Sequence, residues 1–265
     1  MEHGDLREEW EAWKAERVAR LRGERGWLSV VALHWLEPGV NRVEGLPGTF
    51  ALQEGRVVLA ARPADGYALG GVPVERRVLV SDAGGSPDLL SLGERRWVQL
   101  LERGGRLALR VWDADAPARR DFPGVETFPF DPAWRVLARW EAWPAPRPVE
   151  GVDVTGSVAT RLVLGRALFT VGERELSLDP TADGDRLAFV FRDATAGAET
   201  YGAGRFLSAD GPHAGRLVLD FNRAFNPPCA FTPFATCPLP RPENVLPVRV
   251  TAGERYANGQ VPSCV

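Results

Sequence analysis

After its first two dozen residues this chain reads in short alternating runs, and that pattern decides most of what it can fold into. Runs at Trp27–Leu36, Thr49–Leu52, Arg56–Ala61, Arg76–Val80, Trp97–Leu101 and Leu107–Trp112 are each bounded by Gly, Pro or Asp. A second series follows at Arg135–Ala142, Ala159–Leu164, Ala167–Val171, Glu175–Leu178, Leu187–Arg192, Leu217–Phe221 and Leu246–Val250. Period two with frequent turn signals predicts an all-β protein, a mainly antiparallel barrel or sandwich. Glu102-Arg103-Gly104-Gly105 reads as a hairpin turn between two of these runs. The exception is N-terminal. Leu6, Trp10, Trp13, Arg17 and Leu21 recur at helical spacing up to Gly23, and Asp5 with Glu8 has the spacing of a capping box. One amphipathic helix is therefore expected over about residues 5–22, laid against the side of a sheet.

This divides the chain into a helical segment, 1–24, a first β layer, 25–142, and a second, 151–265. The connection 143–150 carries Trp143-Pro144-Ala145-Pro146-Arg147-Pro148, whose three prolines are not expected inside a central strand.

Composition removes several function classes. A net charge of −3 gives no basic footprint for a nucleic-acid backbone. Lys14 is the only lysine and lies in the helical segment, so neither a Walker A loop nor a Schiff-base site is available. Met1–Leu6 lacks a signal-peptide pattern and no run reaches about 20 apolar residues, so no membrane association is expected. Three cysteines, Cys229, Cys237 and Cys264, suit reduced thiols in the cytoplasm better than a disulfide framework. Gly-x-Ser-x-Gly, His-Glu-x-x-His, Cys-x-x-Cys and a complete Gly-x-Gly-x-x-Gly are missing. No cofactor is assigned, and a flavin site, which leaves no compact trace, stays open.

The most unusual stretch is 222–245, entered through Asp220-Phe221-Asn222-Arg223 and running Ala224-Phe225-Asn226-Pro227-Pro228-Cys229-Ala230-Phe231-Thr232-Pro233-Phe234-Ala235-Thr236-Cys237-Pro238-Leu239-Pro240 to Glu243-Asn244. Its prolines exclude regular structure, and its phenylalanines are too apolar for a solvated loop, so it must fold against the body of the protein. Together with Gly26-Trp27-Leu28-Ser29-Val30, Pro117-Ala118-Arg119-Arg120-Asp121-Phe122, Arg192-Asp193-Ala194-Thr195 and Glu199-Thr200-Tyr201-Gly202-Ala203-Gly204-Arg205-Phe206, this phrase resembles bacterial and archaeal proteins grouped as domain of unknown function 1684. The resemblance covers most of the chain and brings no catalytic assignment. Members of that group often carry tyrosine where Phe225 and Phe234 stand, so no essential hydroxyl is implied at either position.

Candidate site residues cluster around the same stretch. Arg192, Arg205 and Arg223 are each expected at a strand end or turn, where three guanidinium groups could converge on a carboxylate or phosphate, oriented by Asp193 and Asp220. Four of the five asparagines, Asn222, Asn226, Asn244 and Asn258, fall in the last 44 residues, and Asn222 and Asn226 either contact a ligand or tie up backbone groups in turns. Tyr201 offers a hydroxyl, Asp220 a proton donor or acceptor, and Cys229 a thiol, as catalytic candidates. Cys229-x7-Cys237 lacks zinc-knuckle spacing, so no metal is assigned; nothing in the sequence brings His34 or His213 to either thiol, and inert buried cysteine is the default. Arg119-Arg120-Asp121 reads as a salt-bridged surface loop. The functional expectation is a small-molecule protein, an enzyme or a binder, with a pocket for an anionic ligand formed where the Pro-rich stretch closes over strand ends. The alternative is a non-catalytic module in which the same arginines and aspartates brace that stretch. A third reading makes Cys229 and Cys237, which flank the aromatic turn, redox-active.

Overall fold

The computed structural model describes residues 3–256; Asn258 and Cys264 lie outside the described residues. The chain forms two compact units, one from Ala19–Pro123 and one from the described parts of Met1–Val18 and Gly124–Val265. The N-terminal helix α1 spans His3–Leu21. It begins two residues before Asp5, which therefore sits in the first turn, where the helix dipole favours its carboxylate, and not at the cap.

The unit Ala19–Pro123 holds ten strands: β1 (Val30–Trp35), β2 (Gly39–Asn41), β3 (Thr49–Gln53), β4 (Arg56–Ala60), β5 (Tyr67–Leu69), β6 (Val72–Pro73), β7 (Arg76–Leu79), β8 (Leu89–Leu92), β9 (Arg96–Arg103) and β10 (Arg106–Asp113). They form a six-stranded sheet ordered β1-β10-β9-β8-β5-β6 and a four-stranded sheet β2-β3-β4-β7. Leu59, Phe50, Val98 and Leu109, all fully buried, share one core. The β9–β10 hairpin turns at Gly104 and Gly105 with φ of 55° and 74°, the double left-handed geometry a tight hairpin needs. Trp27–Ser29 is a 3-10 turn, so the first strand starts later than expected. Arg119 and Arg120 lie in a short helix, α2 (Pro117–Arg120), as an exposed loop element.

The second unit is one seven-stranded antiparallel sheet curled into a nearly closed barrel. Its strands are β11 (Arg135–Val152), β12 (Val158–Val171), β13 (Arg174–Leu178), β14 (Thr181–Asp183), β15 (Arg186–Phe191), β16 (Arg205–Asp210) and β17 (Arg216–Asp220). The order is β16-β15-β14-β12-β11-β17, with β13 on β12. Alternate residues point inward: Leu187, Phe189 and Phe191 of β15, Leu207 and Ala209 of β16, and Leu217 and Leu219 of β17 build the core around Phe221.

Two expectations change here. Residues 143–150 are not a connection between layers but the middle of β11, which pairs with β12 from Arg139 to Val152 across a bulge between Ala142 and Arg147. Pro144, Pro146 and Pro148 stand two apart, so their missing N–H groups face one edge, and β17 pairs with β11 only from Arg135 to Arg139, leaving the edge beyond open. Leu246–Val250 is not a strand. Pro247 interrupts it, and its backbone instead bonds the loop after β15, with Leu246 N–H on the Arg192 carbonyl at 2.7 Å and the Val248 carbonyl accepting from Ala194 N–H at 2.9 Å.

Candidate functional site: a cavity between the barrel and the Pro-rich segment

The stretch after β17 folds by capping one backbone group at a time. Asp220 accepts from Asn222 N–H at 3.2 Å and starts a 3-10 turn over Phe221–Arg223. Phe225 and Phe206 then exchange two backbone hydrogen bonds of 2.8 Å, laying the stretch along β16. Two further 3-10 turns, Pro228–Ala230 and Pro242–Asn244, each begin with proline, whose fixed φ suits such a start. Val154 N–H donates to the Cys237 carbonyl at 2.9 Å and Leu239 N–H to the Val152 carbonyl at 2.8 Å, so the stretch also pairs with the far end of β11.

The sequence-predicted residues lie on and around this stretch in three groups. Arg205 opens β16 and is fully buried, its Nη2 3.1 Å from Asp193 Oδ1 and 3.0 Å from the Val250 carbonyl, its Nη1 2.5 Å from the Ala252 carbonyl. Burial pushes its guanidinium below the ordinary value, and Asp193 and Glu254 oppose that shift. Asp193 also accepts from Thr195 Oγ1 and Val250 N–H, both at 2.8 Å. Its partner is thus Arg205 and not the adjacent Arg192, which is exposed and, among the described residues, joins the loop only through its backbone. The turn before Arg205 requires glycine twice over. Gly204 has φ of +97°, and a Cβ there would stand 2.5 Å from the Phe191 carbonyl oxygen.

Asn222 and Asn226 form the second group. The Asn222 amide bonds both backbone groups of Asp131, at 3.0 and 2.9 Å, and its carbonyl receives Trp10 Nε1 of α1 at 2.9 Å. Asn226 N–H donates to Glu254 at 2.7 Å, Glu254 pairs with Arg17 of α1 at 2.9 Å, and Arg17 reaches back to the Asn226 carbonyl at 2.8 Å. Arg223 is a third of the way exposed and bridges Asp220 at 3.4 Å and Glu9 at 3.2 Å. The third group is Tyr201, whose hydroxyl donates to the Cys229 carbonyl at 3.1 Å, with Cys237 beside Cys229. Among the described residues no cluster of three or more His, Cys, Asp or Glu is arranged to hold a metal.

None of these nine residues lines the cavity beside β14–β16 in the barrel unit. That cavity, of about 280 Å³, lies on the outer face of β14–β16, under the Pro-rich stretch and beside the β11–β12 arm. Its floor is the side of each strand opposite the core: Ala188 and Val190 of β15, Phe206 and Ser208 of β16. Phe225, Pro238 and Leu239 supply the apolar wall. Asn244 fixes one end, its amide bonding both backbone groups of Asp179, at 2.8 and 3.0 Å, and the Val190 carbonyl at 3.0 Å. Asp179 is held by Arg166 at 2.7 and 3.0 Å and by Arg241 at 3.3 Å, and that bonding raises the Arg166 guanidinium above its ordinary value. Arg161 of β12 and Arg241 bring cationic groups to the lining, and Asp183 and Thr181 of β14 the remaining polar ones.

The cavity was half visible in the sequence. Arg241 and Asn244 belong to the stretch that composition singles out. Arg161, on an alternating run, carries the same signal as any solvated strand face, and nothing local brings β12 to that stretch.

Known proteins add kinship without an activity. No curated protein matches the chain. A solution structure of an uncharacterized protein from gene locus rrnAC0354 of Haloarcula marismortui is 31% identical over 52% of this chain and 80% of its own, with a TM-score of 0.44. The family model described as "Protein of unknown function (DUF1684)" matches residues 120–255, which include every strand of the barrel and the whole Pro-rich stretch. With just over half of its length matched, the chain belongs to the DUF1684 family.

Proposed function

We propose that the barrel unit binds a small anionic molecule with an apolar body in the cavity between β14–β16 and the Pro-rich stretch. The observation that carries this reading is Arg161, an exposed guanidinium at the cavity lining that forms no ion pair or side-chain hydrogen bond among the described residues. Asp179 is answered by Arg166 and Arg241, and of the two remaining lining charges, Arg161 and Asp183, the cationic Arg161 is the group to meet an incoming carboxylate or phosphate. Phe206, Phe225 and Leu239 offer the apolar contact that fixes the rest of the molecule. The volume sits at the small end of ligand pockets and is about twice the roughly 150 Å³ that holds one benzene ring. The role is binding, in a reducing cytoplasmic setting, and no reaction is assigned.

Of the ligand candidates read from the sequence, Arg205, Asp193, Asn222 and Asn226 serve in this reading as braces, together with Arg17 and Glu254. Arg205 with Asp193, Arg17 with Glu254, and the two asparagines keep the Pro-rich wall in place.

Calorimetric titration with benzoate, benzamide and benzamidine tests the proposal. Benzoate should bind at one site and more tightly than its neutral and cationic analogues. Arg161→Ala should weaken benzoate by roughly tenfold, the loss of one charge-assisted hydrogen bond. Equal affinity for all three probes, unaffected by Arg161→Ala, would remove the anionic reading.

A further inference from the structure

The Pro-rich wall contains two buried thiols, Cys229 and Cys237, not joined as a disulfide. The fold sets them against one another. Cys229 N–H donates to Cys237 Sγ at 3.2 Å. Tyr201 stands at the same point, its hydroxyl bonded to the Cys229 carbonyl at 3.1 Å and its ring edge-on to Tyr256 at 5.0 Å. A cysteine packed only among apolar groups is inert because nothing holds a thiolate there. Here the Cys229 amide bonds the Cys237 sulfur and the Tyr201 phenol bonds the Cys229 carbonyl. The hydrogen bond from Cys237, and then that from Tyr201, holds the Cys229 thiol below its ordinary range against the opposing effect of burial.

We propose that Cys229 and Cys237 are a thiol–disulfide couple closed by a small hydroperoxide. The Cys229 thiolate attacks one oxygen of hydrogen peroxide; the S–O bond forms, the O–O bond breaks, and the departing hydroxide takes up the thiol's proton and leaves as water. Cys229 is then a sulfenic acid. Cys237 sulfur attacks the Cys229 sulfur, the S–S bond forms, the S–O bond breaks, and the hydroxyl leaves with the Cys237 proton as a second water. The two thiols lose two electrons and the peroxide gains them. Each cysteine is only 4% exposed, so peroxide and the reagents that report on the pair reach it through local opening of the Pro-rich wall.

Closure would act on the cavity. The Cys237 carbonyl holds the end of the β11–β12 arm through Val154, and the next two residues, Pro238 and Leu239, are cavity wall. A bond to Cys229 would pin that wall. This consequence rests on the binding role proposed above, whereas the thiol chemistry does not.

The test uses the full chain carrying Cys264→Ser, so that this pair alone remains. It is titrated with hydrogen peroxide while free thiols, intact mass and benzoate affinity are followed. Both thiols should disappear together with a mass loss of about 2 Da, a peptide linking residues 229 and 237 should appear, and dithiothreitol should reverse both. In Cys237→Ser the reaction should stop at a sulfenic acid on Cys229 that dimedone traps. Thiols that survive peroxide, that gain oxygen without linking, or that link between chains overturn the proposal. Closure with unchanged benzoate affinity overturns only the coupling to the cavity, and closure without benzoate binding in either form overturns only the binding role.

Discussion

Replacing Arg205 with alanine separates a ligand-binding arginine from a brace. In the folded protein Asp193 is nearly inaccessible and Arg205 is its one cationic partner among the described residues, while three carbonyls, those of Val250, Ala252 and Glu254, also accept from the same guanidinium. Removing the side chain strands a buried carboxylate, which costs about 3–5 kcal/mol. The three donors that remain to Asp193, from Thr195 N–H, Thr195 Oγ1 and Val250 N–H, hold the loss toward the lower end of that range. For a unit of this size the melting temperature should fall by roughly 6–20 °C. Thermal and urea unfolding followed by circular dichroism give the comparison, with benzoate titration of the folded variant at low temperature as the second axis. A large loss of stability with benzoate affinity within about twofold of the parent is the expected result. A variant as stable as the parent that no longer binds benzoate would refute the bracing assignment and return Arg205 to the ligand.

Two further changes test other parts of the fold. Gly204→Ala should destabilise the barrel unit by at least about 2 kcal/mol in urea unfolding, since φ of +97° and the approach of the Phe191 carbonyl both oppose a Cβ. In the unit Ala19–Pro123, hydrogen bonds from Arg77 hold the Asp88 carboxyl below its ordinary 3.8, with burial opposing and the Val80 N–H assisting. Because the folded value is the lower one, Asp88 contributes stability that is complete above the unfolded value and is lost as pH falls through the folded value. Urea midpoints measured from pH 6 down to pH 2 should therefore drop less steeply in Asp88→Asn than in the parent, with equal slopes counting against the ion pair.

The sheet character of the chain was open to reading because period two and turn chemistry are local. The runs around Gly104-Gly105 became β9 and β10 with the expected tight turn. The helix was equally plain, since Trp10 and Arg17 recur on one face and that face is buried against Asn222, Asn226 and Glu254. Where local signals mislead, distant partners decide. Gly202-Ala203-Gly204 reads as a turn and forms one, but β16, which opens at the next residue opposite Phe191, is missing from the alternating runs. Pro144 to Pro148 read as a break, yet an open strand edge absorbs them. The pairs Arg205 with Asp193 and Arg17 with Glu254 leave no mark in sequence, and the cavity joins β12, β14–β16 and the Pro-rich stretch from separate parts of the chain.

The binding role is tested most directly by chemical-shift mapping of benzoate on the ¹⁵N-labelled protein, beside an Ala188→Phe variant that fills the cavity floor. Saturable shifts should gather on Val190, Phe206, Ser208 and Arg161 and vanish in Ala188→Phe, whose fold is kept because Ala188 faces away from the barrel core. Shifts that gather instead around Arg205, Asp193 and Arg223, or that persist undiminished in Ala188→Phe, would contradict it.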